Sequence, residues 1–354
     1  MNLIDRTIGK TIYQTIFVVL FAAAGVEFFI MMVAELPDIG RNHYSLIAAL
    51  WYAILNLPDQ LYQFFPMIGL LGVLMGLGLL ANHSELIIMQ SAGMSPLRIT
   101  FSALKTIFLF LIAITAMGEI LAPQITTYAN HYKQAKMQGN ADDQIVAYNL
   151  WLRMQHNFLY VARADKANIL YQLSWYLFDE QNNLLQSNTA STANYVRGGW
   201  LAHQVHTTDF TGTNTHISFQ NQQILPFAVT PNLLVHSTED LHNLSLAALK
   251  QSLSFHHINH LQNDSITLFF WRRILQPFSS LVMMLLAIPF IFGPLRQVSQ
   301  SLRCVMGIAV GFCFYYLNAF FGPIVLLFHW PAWLGALLPT VICGLFGMLL
   351  LKYK

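Results

Sequence analysis

Apolar residues gather in six long runs: Thr11–Ala34, Leu61–Ala81, Ile99–Leu121, Ile266–Phe292, Cys304–Phe328 and Trp333–Leu351. Each approaches or exceeds the roughly 20 residues a helix needs to cross a bilayer. Between the third and fourth runs, roughly 136–260, the chain is rich in Asn, Gln, Thr, Ser and His. The pattern predicts an α-helical polytopic membrane protein: three spans, one extramembrane domain, three spans. The first run is too long for a cleaved signal peptide and has no small-residue cleavage site, so it is expected to remain as a span.

Within the polar stretch, short β-type runs occur at Phe158–Arg163, Ile169–Phe178, Trp200–Phe210 and Thr215–Phe219. Asp179–Asn183 and Arg197-Gly198-Gly199 punctuate them as turns. This spacing predicts an inserted all-β domain, a sandwich or jelly roll. Helical spacing returns from Asp240 to Leu261 and leads into the fourth span. Such a domain is either a solubilising ectodomain, or an open sheet that accepts another protein's strand or holds a lipid. The expected units are 1–135, with the first three spans; 136–260, the β domain and return helix; and 261–354, with the last three spans.

A short amphipathic segment, Asn82–Pro96, joins the second and third spans. Ser84 suits an N-cap, Glu85 suits the positive end of the helix dipole, and Gly93 suits a terminator. A helix lying at such a turn is well placed to receive a push from a partner; an ordinary amphipathic turn resting on the membrane is the plainer alternative.

Charge sets the orientation. The chain is 55% hydrophobic and only 10% charged. Arg6, Lys10, Arg98, Lys105, Arg296, Arg303, Lys352 and Lys354 all fall on one side, whereas the short loops opposite contribute only Arg41. The basic side is expected to be cytoplasmic, with both termini inside and the β domain outside. Trp51, Trp271, Trp330 and Trp333 fall near the outer ends, as interfacial anchors would. The three cysteines, Cys304, Cys313 and Cys343, lie in spans, so no disulfide framework is expected in the β domain. A net charge of +2 argues for no nucleic-acid partner.

No GxxxxGK[ST] loop occurs, and Gly69, Gly72, Gly76 and Gly78 lie in an apolar span rather than a phosphate cradle. Gly72-x3-Gly76 and Gly307-x3-Gly311 suit close helix approach. Glu27 and Glu119 are embedded acids. Glu119 is expected near the outer boundary, whereas Glu27 needs either a basic partner, for which Arg272 and Arg273 are candidates, or a neutral, protonated form. His256 and His260 share a helical face beside His257, a pattern that fits a solvated surface better than a zinc site.

Three motifs then point one way. Ser84–Pro96, reading SELIIMQSAGMSP, resembles the cytoplasmic coupling helix of the LptF/LptG permease family. Ile291–Arg296 (IFGPLR), with Phe320–Pro323 (FFGP) and Gly335–Pro339 (GALLP), is similar to the carboxy-terminal half of the LptG branch, and Leu3–Lys10 is similar to its start. The resemblance covers essentially the whole chain and is thinnest in the β region. It implies a multi-pass inner-membrane subunit of the lipopolysaccharide exporter, with a periplasmic jelly-roll domain. The partners it implies are an LptF-like paralogue, an LptB-like ATPase dimer and an LptC-like anchored bridge protein. This chain would carry no cofactor, because ATP and Mg would bind the ATPase.

The resemblance also assigns roles. Glu85 would contact the ATPase, with Leu86, Met89 and Gly93 shaping the docking knob. From their places near the outer ends of spans, Lys133, Lys136, Arg272, Arg273 and Arg41 are candidate contacts for lipopolysaccharide phosphates, with snorkelling of the two pairs to the interface the open alternative. Lys133 matches a basic position of the family; Asn130 replaces another. Met31-Met32 and Pro37-Asp38 stand where the family carries lysines, leaving only Arg41 at the outer end of the first span. Phe28, Phe29, Phe64, Phe65, Tyr315, Tyr316, Phe320 and Phe321 are, as a group, candidates for an acyl-chain cavity formed with the paralogue, whereas any single one of them suits lipid contact or helix–helix packing. Two other classes of function stay open: a membrane-embedded lipid-modifying enzyme using Glu27 or Glu119, and a mechanotransmitter that moves its ectodomain without carrying lipid.

Overall fold

The structure is a computed structural model that describes residues 3–93, 96–138, 145–165, 168–196, 198–212, 214–225, 227, 229–231, 234, 241, 244–259, 264–292 and 298–352. Arg296, Lys354, His260 and most of the Ile291–Arg296 motif lie outside the described residues. The chain divides into a helical unit (Met1–Ile39, Ser45–Ala129 and Thr267–Lys354) and a second unit (Gly40–Tyr44 and Asn130–Ile266).

In chain order the helices are α1 (Leu3–Glu35), α2 (Leu46–Gln63), α3 (Phe65–Asn82), α4 (Glu85–Ser91), α5 (Pro96–Ala116), α6 (Ala122–Gln138), α7 (Leu246–Ile258), α8 (Asp264–Phe292), α9 (Gln300–Leu327) and α10 (Ala332–Lys352). A π turn, Met117–Leu121, joins α5 to α6. Among the described residues, six segments are long and apolar enough to cross a membrane: Asp5–Asp38, Phe65–Asn82, Arg98–Met137, Asp264–Ile291, Gln300–Leu327 and Ala332–Leu350.

The second span differs from its sequence pattern. Leu61–Ala81 reads as one run, yet the helix breaks at Phe64 and restarts with Pro66 in the first turn of α3. Proline lacks an N–H and is tolerated there because first-turn donors have no helical acceptor. The preceding α2, capped by Ser45 Oγ accepting from Ala48 N at 3.3 Å, had no counterpart in the apolar pattern. Its inner face is small or polar as far as Asp59, with Ala48, Ala49, Ala53, Asn56 and Asp59 buried, and ends in buried Leu61 and Tyr62.

Helix α3 is apolar all round because it is enclosed. A Cβ at Gly72 would lie 2.6 Å from Ile16 Cγ1 and 2.7 Å from Ile16 Cα, and one at Gly76 would lie 2.6 Å from Thr15 Oγ1. Thr15 Oγ1 is 2.8 Å from the Gly72 carbonyl, a hydrogen bond open only to backbones this close. On the other side, Gly307 and Gly311 of α9 bring Leu71, Leu74 and Met67 of α3 just as near. Both Gly-x3-Gly pairs therefore act as close-approach faces.

Among the described residues the second unit holds six strands: β1 (Ile145–Met154), β2 (Asn157–Asp165), β3 (Ile169–Phe178), β4 (Leu184–Val196), β5 (Gly199–Asp209) and β6 (His216–Ile224). They form one antiparallel sheet in sequence order, β1-β2-β3-β4-β5-β6. The inserted all-β domain is thus present, built as a meander of long strands. Its core includes Leu159, Val161, Leu173, Trp175, Trp200 and Val205, and Trp200 Nε1 donates to the Val229 carbonyl at 2.7 Å.

One rung interrupts the alternation of this sheet. Buried positions step by three in successive strands, from Val161 to Ala164, Leu170 to Leu173, Ala190 to Ala193 and Ala202 to Val205. Asn149, Gln172 and Gln204 on this rung have φ of 51°, 52° and 55°. The registers place Asn149 opposite Ala162, Gln172 opposite Ala162 and Ser191, and Gln204 opposite Ser191. The register does not shift across this rung, so it is a row of left-handed residues facing one another rather than a set of bulges. At the β3–β4 turn, Asp179 Oδ1 accepts from Gln181 N and Asn183 N at 2.9 and 2.7 Å. The Asn183 side chain and backbone hold this carboxyl below the usual aspartate range. Helix α7 begins at Ser245, whose Oγ accepts from Ala248 N at 3.2 Å, and packs Phe255 on the β core.

The α1–α3 approach makes a paired prediction. Gly72→Ala should cost about 1–3 kcal/mol through overpacking against the Ile16 backbone. Gly25→Ala, with nothing within 4 Å of its Cβ, should be neutral or gain roughly 0.5–1 kcal/mol. Thermal unfolding of the purified chain in detergent measures the difference; equal midpoints would refute the tight interface.

Candidate functional site

Helix α4 is two turns long. Its last residues lead into Gly93, whose φ of +86° lets the chain leave the helix, as the sequence suggested. Ser84 behaves otherwise. With φ of 60° it is left-handed, and its side chain makes no capping bond. An N-cap needs extended backbone geometry; here Ser84 instead closes a tight reversal, its N–H donating to the Ala81 carbonyl at 3.0 Å. Leu86 and Met89 are buried in the core of the helical unit, so they tether α4 to the bundle. The outward face carries His83, Ser84, Ile88 and Ser91, with Glu85 half-buried at its flank. Ile88, 62% exposed, was not singled out from sequence; its place between two inward residues is the signal that marks it.

A buried polar cluster ties three helical elements. Arg273 Nε donates to Glu119 Oε1 at 2.6 Å, and Nη2 donates to the Gly118 carbonyl at 2.7 Å. Nη1 lies 3.8 Å from Asp59 Oδ1. The guanidinium sits 5.0 Å from the centre of the Tyr62 ring, whose hydroxyl donates to Glu119 Oε1 at 3.2 Å. Gln276 Nε2 donates to the Tyr62 carbonyl at 3.1 Å. The π turn contributes directly: Ala122 N reaches back to the Met117 carbonyl, and Gly118 leaves room for the Tyr62 ring. Arg272 donates to the Asn318 carbonyl, and Gly322 of the FFGP motif clears space for it.

These partners revise one expectation. Arg272 and Arg273 are engaged with Asn318 and with Glu119 and Asp59, so neither is the partner of Glu27. Glu27 makes no ion pair among the described residues. Glu119 is only about one-fifth exposed and belongs to the cluster rather than to open water.

The remaining basic candidates share the second unit. Asn42 Nδ2 donates to the Met137 carbonyl at 2.6 Å, and His43 N donates to the Lys136 carbonyl at 3.2 Å. The Gly40–Tyr44 segment is thereby tied to the end of α6, so Arg41 joins Lys133 and Lys136. Lys133 lies 5.7 Å from the centre of the Tyr44 ring, and Lys136 lies 5.8 Å from that of Tyr132.

The aromatic candidates separate. Phe65 is fully buried and stacks on Phe110 at 5.7 Å, so it is core. Phe64 stacks on Tyr315 at 5.6 Å. Tyr315, Tyr316 and Phe320 are exposed on α9 and Phe29 on α1; Phe28 and Phe321 are half-buried. His256 Nδ1 lies 2.8 Å from the Ser252 carbonyl of its own helix.

Comparison with known proteins decides the family. The profile described as "Lipopolysaccharide export system permease LptF/LptG" matches residues 6–353. The chain belongs to the LptF/LptG family. It is 34% identical over 356 residues to the lipopolysaccharide export system permease protein LptG of Escherichia coli K12, covering 100% of this chain and 99% of that protein. Against LptG of Haemophilus influenzae Rd the identity is 34% over 348 residues, covering 97% and 96%. The exposed α4, the glycine-packed α3 and the inserted sheet are therefore features of a member of this permease family.

The Arg273 cluster should be structural. Arg273→Met leaves Asp59 and Glu119 buried together without a cation, a loss of about 3–5 kcal/mol. The triple variant Arg273→Met/Asp59→Asn/Glu119→Gln should recover part of it. Unfolding midpoints in detergent report both, and an unchanged Arg273→Met midpoint would dissolve the assignment.

Proposed function

We propose that the chain is a permease subunit of a lipopolysaccharide exporter, driven by a partner ATPase that docks on α4. Full-length similarity to LptG supports the substrate. The observation that carries the mechanism is the anchoring of α4: Leu86 and Met89 fix it in the core of the bundle, while Ile88 faces outward. A helix held this way transmits displacement to the bundle instead of sliding over it. In this reading α4 lies in the cytosol and the sheet in the periplasm, which the excess of basic residues in the short loops on the α4 side supports.

Lipid extraction is costly because each methylene removed from apolar surroundings loses about 0.8 kcal/mol. The bundle must offer apolar surface in return. The exposed aromatics Phe29, Tyr315, Tyr316 and Phe320 supply it, in a cavity completed by an LptF-like paralogue. Arg41, Lys133 and Lys136 form the phosphate-binding group, as flexible or forked cations suit phosphate oxygens. An LptC-like anchored protein would receive the lipid. An enzymatic role for Glu119 has little support, since it already accepts hydrogen bonds from Arg273 and Tyr62.

Two measurements test this. Glu85→Lys should abolish lipid export and co-purification of the ATPase while the chain still inserts; wild-type export and association would sink the docking role. Lys133→Ala with Lys136→Ala should lower photo-crosslinking of the chain to lipopolysaccharide, and an undiminished crosslink yield would remove these lysines from the site.

A further inference from the structure

Arg303, expected at a loop, is only 1% exposed. Its Nη1 donates to the Gly78 carbonyl and to Asn82 Oδ1, both at 2.8 Å, and lies 3.3 Å from Gln300 Oε1. Gln300 Nε2 donates to the Met75 carbonyl at 3.2 Å. Gly78 is needed here, since a Cβ would lie 2.9 Å from Gln300 Oε1 and 3.1 Å from Arg303 Nη1. A cation in the first turn of α9 opposes that helix's own dipole; the carbonyl end of α3 compensates it. Asn82 is the last residue of α3, and α4 begins at Glu85.

The contact continues along both helices. Arg303, Gly307 and Gly311 are spaced by four, so they form one face of α9. They meet Gly78, then Leu74 and Leu71, then Met67, along α3. Phe312, Tyr316 and Phe320 follow the same spacing and are exposed, with Phe312 and Tyr316 rings stacked at 6.4 Å. Pulling α3 from α9 at this end would strand a buried guanidinium, an outcome the pair resists.

We propose that Arg303, Gln300 and Asn82 clamp α9 to the end of α3, so that a displacement of α4 moves both helices as one body and reaches the exposed aromatic ridge of α9. Arg303 is a positioning residue in this scheme. The proposal rests on the reading that a partner ATPase drives this chain through α4.

The test uses the complete assembly in lipid vesicles, with Cys304, Cys313 and Cys343 replaced by serine, and reads ATP hydrolysed and lipopolysaccharide released together. Arg303→Ala should keep the ATPase bound and hydrolysing, while lipid released per ATP falls about tenfold, the scale of one lost charge-assisted hydrogen bond. A covalent tether should replace the clamp: oxidising Asn82→Cys/Gln300→Cys in the Arg303→Ala chain should restore most of the yield. A purely stabilising role would lower ATPase association and lipid release in parallel, and oxidation would not recouple them. The same cysteine pair with Arg303 intact covers the case in which Arg303→Ala fails to accumulate. Crosslinked chains that still export support one-body motion; loss of export on crosslinking overturns it, as does a normal yield from Arg303→Ala. No ATP-driven release from the unmodified assembly would instead remove the parent reading.

Discussion

Apolar helices gain no hydrophobic energy by leaving lipid for one another, so their association depends on close backbones and polar ties. Helix α3 is where this constraint is met. Its glycines Gly72 and Gly76 admit α1 on one side, and Gly307 and Gly311 admit α9 on the other. Because α3 is enclosed on both faces, the short helix that follows it inherits a fixed base. The position of α4, and therefore any push delivered to it, depends on contacts made well away from α4.

Arginine completes what glycine begins. Arg273 balances two acids, Arg272 reaches the Asn318 carbonyl, and Arg303 meets the end of α3. In each case a glycine lies beside the guanidinium or its partner: Gly118, Gly322 and Gly78. A planar cation with five donors can satisfy carbonyls and carboxylates together, which a lysine ammonium cannot do in the same geometry. The cost of carrying charge in a span is offset by fixing which helices are neighbours, and at what depth.

Much of the architecture was legible in the chain because periodicity and length are local properties. All six apolar runs fall on membrane-length helical segments, although the second is broken at Phe64 and the third continues beyond Leu121, and the strands at Ile169–Phe178 and Trp200–Phe210 coincide closely with strands in the structure. Strand β4 was not, because its inward residues are Asn188, Ala190 and Ala193, which carry little apolar signal. The run from Phe158 stopped short of Asp165 because the left-handed rung replaces a period of two by a step of three. Site residues were harder to read. Glu85 and Gly93 stood out through local helix chemistry, but the engagement of Arg272, Arg273 and Arg303 depends on residues 46 to 225 positions away. Asp59 and Tyr62 were missed for the same reason, although a lone acid beside Pro58 in an apolar stretch was a visible sign.

The π turn at Met117–Leu121 has a separate consequence. It holds one residue more than an α turn, and each helical residue advances the azimuth by about 100° while adding only about 1.5 Å of rise. Length and facing are thereby uncoupled within the third span. Inserting or deleting a single residue here would barely alter its reach but would re-aim every side chain of α6 around the axis. Relatives lacking the extra residue would need a gap at this point in any alignment. Without it, the faces of the following helix would be misassigned by about 100° on paper, and Lys133 and Lys136 would be matched to residues that look elsewhere.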